Sequence, residues 1–450
     1  MKYQEWVPHL FRTEFARITA VLCNRFGIDQ IEAAEDLASD TFVAALESWT
    51  YQGIPENPRA WLYAVAKNKA KNYIKRHHLF LQKIAPQLQG SDEWSDETDF
   101  DWSAENIMDS QLQMLFALCH PSIPVQSQVA LSLRILCGFG IEEIANAFLT
   151  NKETINKRLL RAKEKLKSEK VSLKFPGVES INGRLGTVMI TLYLLFNEGY
   201  SSESVDGVLR EDLCHEAMRL TYLLIENDRC SRPVVHALYA LMCFQASRFP
   251  ARKNDQGEMI LYDDQDHSLW DQSMIFKGMF HLHRSASGED LSKYHLEASI
   301  AYWHTIKEDS FLKWSNILNL YDQLLNIDHS PVVALNRIYA LYKLKGSQAA
   351  LEEAEKLSMT KNHFYFVLLA ELNHEAAPLI AKQYLLKAYN LAKTQTDKIQ
   401  IEKKLSRLTN SIAVGANMII DLQCFEFLDL YFVHCSLFPP TTLNLFGFAC

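Results

Sequence analysis

Proline and glycine are scarce, at 13 and 16 of 450 residues. Few positions therefore interrupt the chain, and apolar residues recur at spacings of three and four almost throughout. That period belongs to amphipathic helices, and it predicts an all-α protein. The nine cysteines form no C-x-x-C pair, and no Cys/His grouping has zinc-ligand spacing. A zinc ribbon and a disulfide framework are thereby excluded, and no metal or other cofactor is expected. No signal segment follows Met1, so reduced thiols in the cytoplasm are the expectation. A run of about eighteen apolar residues is missing before the extreme C-terminus, so no spanning helix and no membrane partner are expected. Positive charge is also lacking overall: the net charge is −8, which by itself does not announce a binder of nucleic acid. The length exceeds what one core fills, which predicts two or three domains.

The average hides segregation. Residues 1–170 hold twenty Lys or Arg and twenty-two Asp or Glu, and eight of those acids lie between Asp92 and Asp109. The rest of this stretch carries an excess of six positive charges. A first helix is expected over Tyr3–Arg25, with Trp6, Leu10, Phe15, Ile18 and Leu22 as its buried stripe and Gly27 as its stop. A second is expected over Glu32–Trp49, with Leu37, Thr41, Ala44 and Ala45 inward and Asp36, Asp40 and Glu47 as an acidic outer stripe. The loop Tyr51–Asn57 leads to NPRAWLYAVAKNKAKNYIKRHH, which has six basic residues and no acidic one. Asn57 is a candidate cap with Pro58 in the first turn. Lys67, Lys71 and Lys75 recur at four-residue steps, and Trp61, Tyr63 and Tyr73 are aromatics that could stack on bases or lie in the core.

Residues 87–110 are acidic, lack Lys and Arg, and lack helical apolar spacing, so they read as a linker. Helices resume at Gln111. LSLRILCGF ends at Gly138 and Gly140, and IEEIANAF, a short turn and KETINKRLLRAKEKLK then follow at helix-turn-helix spacing. Ile141, Ile144, Ala145 and Phe148 match Ile155, Leu159, Ala162 and Leu166 as one packing face. Thr154, Arg158, Arg161 and Lys165 fall on a neighbouring stripe, with Lys157 beside it. From Lys152 to Lys170 there are eight basic residues against three acidic. Hydroxyl, amide and guanidinium groups on such a face suit base edges in a major groove, and lysines suit phosphates.

Two basic helical units joined by an acidic linker carry a resemblance. AEDLASDTFVAALESW, NPRAWLYAVAKNKAKNYIKR and ALSLRILCGFGIEEIANAFLTNKETINKRLLRAKEKL resemble regions 2 and 4 of the extracytoplasmic-function (ECF) sigma factors of bacterial RNA polymerase. LYLLFNEGYSS, REDLCHEAMRL, ALMCFQASRFPAR, LYDDQDHSLWD and SPVVALNRIYAL resemble the C-terminal extension of one ECF group, which has tetratricopeptide-like repeats. The likeness spans roughly residues 5–408. It implies region 2 over 1–80, an acidic linker over 81–110, region 4 over 111–172, a helical extension with TPR-like hairpins over 184–409, and an atypical apolar tail over 410–450. It also implies core RNA polymerase as partner, through the β′ clamp helices for region 2 and the β flap for region 4, together with promoter DNA. On that likeness Asp36, Asp40, Phe42 and Glu47 would meet polymerase. The loop Tyr51–Asn57 would capture a flipped base. Trp61, Asn68, Lys71, Asn72, Lys75 and Arg76 would hold the −10 element, and Thr154, Asn156, Lys157, Arg158 and Arg161 the −35 element. The protein would catalyse no reaction itself, and its extension would modulate activity and offer a concave surface to a peptide or protein ligand.

In the extension, VALNRIYALYKLKGSQAALEEAEKL reads as a helical hairpin, with Gly346 in the turn and Ala334, Ala340, Ala349, Ala350 and Ala354 letting helices approach. IAKQYLLKAYNLAKT starts another. A rival reading seats an enzyme here, with Asp263, Asp264, Asp266, His267, Glu198 and Glu216 as a carboxylate site. Helix caps and partners for Arg210 or Arg219 account for the same residues and are preferred. A second alternative is a helix-turn-helix regulator that binds duplex DNA without polymerase. Residues 410–450 are apolar and lack Lys and Arg. Asp421, Glu426, Asp429 and the Pro439–Pro440 pair argue against a spanning helix there.

Overall fold

The computed structural model describes all residues except 1–2, 84–99, 149, 201–210, 253–259, 261–263, 289, 393 and 415–450. Among the described residues there are eighteen α-helices and no strand, as the helical period predicts. They form two compact units, one of residues 1–192 with 226–230, the other of the remaining residues.

In the first unit, α1 (Tyr3–Phe26) and α2 (Ile31–Gln52) are joined by a short 3-10 turn, Ile28–Gln30. Gly27 sits at φ +88°, a conformation an L side chain rarely adopts, and it stops α1 as expected. Leu10, Phe15, Ile18 and Leu22 are buried along α1. α3 (Pro58–Lys83) follows, with the Asn57 side chain accepting from the Ala60 backbone N–H at 3.1 Å. Its buried stripe is Leu62, Ala66, Ala70 and Ile74, stepping by four. Its lysines are thereby turned away from the core.

One boundary differs from the sequence reading. α4 runs over Ala104–Leu118, so the last residues of the acidic segment are helix, not linker. Ser103 caps it, accepting from Asn106 N–H at 3.2 Å, and Ile107, Ser110 and Gln111 are buried. A strong cap and one interior-facing isoleucine outweigh the poor apolar spacing. α5 (Val125–Leu136), α6 (Ile141–Ala147) and α7 (Lys152–Ser168) follow, each packing on the other two. Asn151 caps α7 by accepting from Thr154 N–H at 2.8 Å. Ile155, Leu159, Ala162 and Leu166 are buried as the spacing predicts. α1 packs on α4 and α5, so the N-terminal three helices and α4–α7 share one core. At Gly138 (φ +66°) an added Cβ would lie 3.2 Å from the Arg12 backbone, so glycine permits this approach.

α8 (Val178–Tyr200) passes from the first unit's residues to the second's at Leu192. The second unit continues with α9 (Glu211–Glu226), α10 (Pro233–Ala246), α11 (Gln272–Ser285), α12 (Lys293–Thr305), α13 (Phe311–Ile327), α14 (Pro331–Lys345), α15 (Ser347–Leu357), α16 (His363–Asn373), α17 (Pro378–Leu391) and α18 (Gln395–Val414). From α10 onward each helix packs chiefly on its chain neighbours. The hairpin of α14 and α15 turns at Gly346, φ +85°, with Ala340, Ala350 and Ala354 fully buried where the helices approach. Its core continues through Tyr321, Tyr339, Leu368 and Leu385.

Candidate nucleic-acid interface

α3 is fixed from beneath by a buried carboxylate. Glu14 of α1 has a side chain with no exposure, and it accepts from the Tyr63 hydroxyl at 2.5 Å and pairs with Arg17 at 2.6 Å and Arg59 at 3.1 Å. Burial, and then Glu14 itself, push the Tyr63 hydroxyl pKa above its ordinary value. Tyr63 also stacks on Trp102, with ring centroids 5.0 Å apart. Tyr73 donates to Gln30 at 3.0 Å and lies against Phe26. Both tyrosines are therefore committed to packing, and neither is available to stack on a base. Trp61 is half-buried, edge-on to Trp49 at 5.4 Å. Asn68, Asn72, Lys75 and Arg76 are exposed and Lys71 is half-buried, so the polar side of α3 is open to a ligand.

On α2, Asp36, Asp40 and Glu47 are exposed. Phe42 is 6% exposed and meets Phe11 edge-on at 4.6 Å. It supports the stripe from below and offers no contact surface, which corrects its reading as a contact residue. Val43 and Leu46, at 51% and 52% exposed, lie beside the acids instead. Tyr51, at 90% exposed, ends the same helix next to the loop 51–57. Sequence reasoning passed over Val43 and Leu46, whose signal was large apolar residues outside the inward stripe, whereas Tyr51 opens the loop 51–57 that the family likeness assigns to a flipped base.

On α7, Thr154, Asn156, Lys157 and Arg161 are exposed. Arg158 is half-buried, its guanidinium 5.1 Å from the Phe148 ring centre, and burial lowers its pKa. Lys165 pairs with Glu169 at 2.5 Å one turn on. Lys163 and Lys167 do not face solvent freely: Lys163 donates to Glu35 at 2.5 Å, and Lys167 donates to Glu32.

Three carboxylates of the rival enzymatic reading have partners of their own. Glu216 pairs with Arg219 at 2.6 Å, Asp264 with Arg407 at 3.1 Å, and Asp266 accepts from Ser268 N–H at 2.9 Å. Asp263 and Arg210 lie outside the described residues, as does the tail from 415 onward. Among the described residues no group of three or more His, Cys, Asp or Glu is placed to hold a metal. The described cysteines are all buried, and no described helix is long and apolar enough to cross a membrane.

Residues 12–79, which span most of α1 through α3, match the model of sigma-70 region 2. Residues 184–286 match a family of unknown function, DUF6596. An uncharacterized protein of Rhizobium meliloti (strain 1021) is 32% identical over 340 residues, covering 75% of this chain and 80% of that protein. The RNA polymerase sigma factor YlaC of Bacillus subtilis (strain 168) is 25% identical over 167 residues, covering 37% of this chain and 93% of that factor. No solved structure matches. The helical bundle with its region 2 match defines a sigma-70 class protein. Within that class the chain is an ECF-like sigma factor whose C-terminal part contains the DUF6596 module, and it belongs to one family with the uncharacterized rhizobial protein.

Proposed function

We propose that this chain is a cytoplasmic sigma factor that recruits core RNA polymerase to promoters through three faces of its first unit. The exposed acids Asp36, Asp40 and Glu47, with Val43 and Leu46 among them, suit a basic and apolar helical partner such as the polymerase clamp. The open side of α3, with Asn68, Lys71, Asn72, Lys75 and Arg76, suits the melted −10 strand, and the exposed ring of Tyr51 suits stacking on a base. The first turns of α7, with Thr154, Asn156, Lys157 and Arg161, suit the −35 major groove. No chemistry is asked of the chain itself. In the second unit, consecutive hairpins present a surface for a peptide or protein that modulates the output.

The observation that carries this reading is the region 2 match lying on a helix whose basic side is open while its aromatics are locked beneath. Run-off transcription with core polymerase and the full chain tests it. Specific initiation is expected, and Asp36→Lys with Asp40→Lys abolishes it while duplex binding survives. If initiation never occurs but sequence-specific duplex binding does, the chain is instead a regulator acting without polymerase.

A further inference from the structure

α11 is fixed at its start and along its inner side. The Asp271 carboxylate caps it, accepting from Ser273 N–H at 2.8 Å and from Met274 N–H at 3.1 Å. Ile275, Gly278, His281 and Ser285 are buried. Gly278 lets the helix lie flush on α10, since a Cβ there would come within 2.6 Å of the Phe244 ring. His281 Nδ1 lies 2.8 Å from His236 Nδ1 of α10. One side of α11 is therefore held, and the other is set outward.

That outward side is apolar. Phe276, Met279 and Phe280 are 67%, 39% and 60% exposed, and the exposed His283 continues the same helical spacing. Two phenylalanines left in water one turn apart mark a surface that a partner covers. Lys277 and Arg284 flank them, both exposed, and α11 has no acidic residue. The charge selects the occupant. Against the α11 of a second copy, Lys277 and Arg284 would meet like charge. A segment both apolar and acidic suits the face. This chain carries one. Residues 415–450 lack Lys and Arg, contain Asp421, Glu426 and Asp429, and place Phe425, Phe427, Tyr431 and Phe432 among and just after those acids.

The segment also begins near α11. Arg407 of α18 pairs with Asp264 at 3.1 Å, and Asp264 lies just before the cap of α11 at Asp271. α18 ends at Val414, about 10 Å beyond Arg407 at the helical rise per residue. At that same rise residues 415–450 reach across about 50 Å. We propose that residues 415–450 cover the outward face of α11 in the same chain, their aromatics against Phe276 and Phe280 and their acids beside Lys277 and Arg284. The seated segment closes this face of the extension to other proteins. The pairing lies within the second unit and stands apart from the promoter contacts proposed for the first.

The test places the photo-crosslinking residue p-benzoylphenylalanine at position 276 or 280 of the full chain, with the exposed position 312 of α13 as control. After irradiation, gel mobility separates links within one chain from links between chains, and mass spectrometry identifies the attached peptide. Positions 276 and 280 are expected to link to peptides of 415–450 within the same chain, and position 312 is not. Asp421→Lys with Glu426→Lys and Asp429→Lys should lower that yield about fivefold, as the loss of two exposed charge pairs does. Adding Lys277→Glu with Arg284→Glu to that variant should restore it. The substituted positions of α11 and α13 are exposed, so the fold is expected to survive, which the melting temperature checks. Links between chains would make the face an interface between copies and overturn the proposal. So would links from 276 and 280 to other segments, or no links from them at all. An equal yield from 312 overturns it too, because the segment then adheres without preference. A yield unmoved by the charge reversals overturns the selection of the occupant by charge.

Discussion

The two basic helices of the first unit look alike in sequence and are held in opposite ways. α3 is gripped from its inner side, where Glu14 takes Tyr63 and Arg59 and leaves Asn68, Asn72, Lys75 and Arg76 outward. α7 packs inward through uncharged residues, Ile155, Leu159, Ala162 and Leu166, and is gripped at its outer lysines by Glu32 and Glu35. Burying a charge costs much unless it is paired, so each helix needs its carboxylates. In α3 the pairing leaves the polar face open, and in α7 it takes up lysines on the side of the helix away from Thr154, Lys157 and Arg161. A count of lysines therefore does not say how many are available to a polyanion.

The largest effect is expected where the comparison rests on a fully buried acid. Glu14→Ala leaves Arg17 and Tyr63 without their partner in a dry site and should cost about 3 kcal/mol of stability. Thermal or urea unfolding of the full chain reads this directly, and a melting curve that does not move would show that α3 needs no such anchor. Tyr63→Phe removes one hydrogen bond to a charged group and should cost about 1.5 to 3 kcal/mol.

Next comes the open face of α3. Lys71→Ala with Lys75→Ala removes two side chains expected to meet backbone phosphates of a single strand. The salt slope for single-stranded DNA should fall by about 1.4, since each contact contributes about 0.7. Far-ultraviolet dichroism should stay unchanged, because Lys75 is exposed and Lys71 half-buried. A slope that does not change would move the strand off this face and end the contrast with α7.

Much of this arrangement was legible beforehand. The buried stripe of α7, stepping by four, three and four, and the Gly27 stop follow from spacing and local chemistry. The start of α4 was missed because one cap and one buried isoleucine do not raise the apolar period of an acidic segment. Phe42 was carried over as a contact by the family likeness, whereas in this chain it lies inward, against Phe11. Tyr63 and Tyr73 were legible only as aromatics of two uses. What decided them was Glu14 and Gln30, on elements that no local pattern connects to them. The pairs of Lys163 with Glu35 and Lys167 with Glu32 had no signal at all. Each of the four residues, taken singly, reads as a solvated charge, and only the tertiary contact of α5 with α1 and of α7 with the 3-10 turn brings them together.

The smallest effect distinguishes two arginines on α7 that the sequence treats alike. Arg161 is exposed, while Arg158 is half-buried over the Phe148 ring. A guanidinium held on an aromatic face gains about 0.5 to 1 kcal/mol and is less free to reach a base edge. Arg158→Lys keeps the charge but loses the planar stack, so it should lower stability by about that amount and change duplex affinity little. Arg161→Lys should show the reverse, with stability unchanged and affinity for a −35 duplex reduced, since a bidentate fork becomes a point charge. Parallel unfolding and fluorescence-anisotropy titrations give both numbers for both variants. If Arg158→Lys costs more affinity than Arg161→Lys, the ring positions Arg158 for DNA and does not withhold it, and the reading face of α7 extends inward to Phe148.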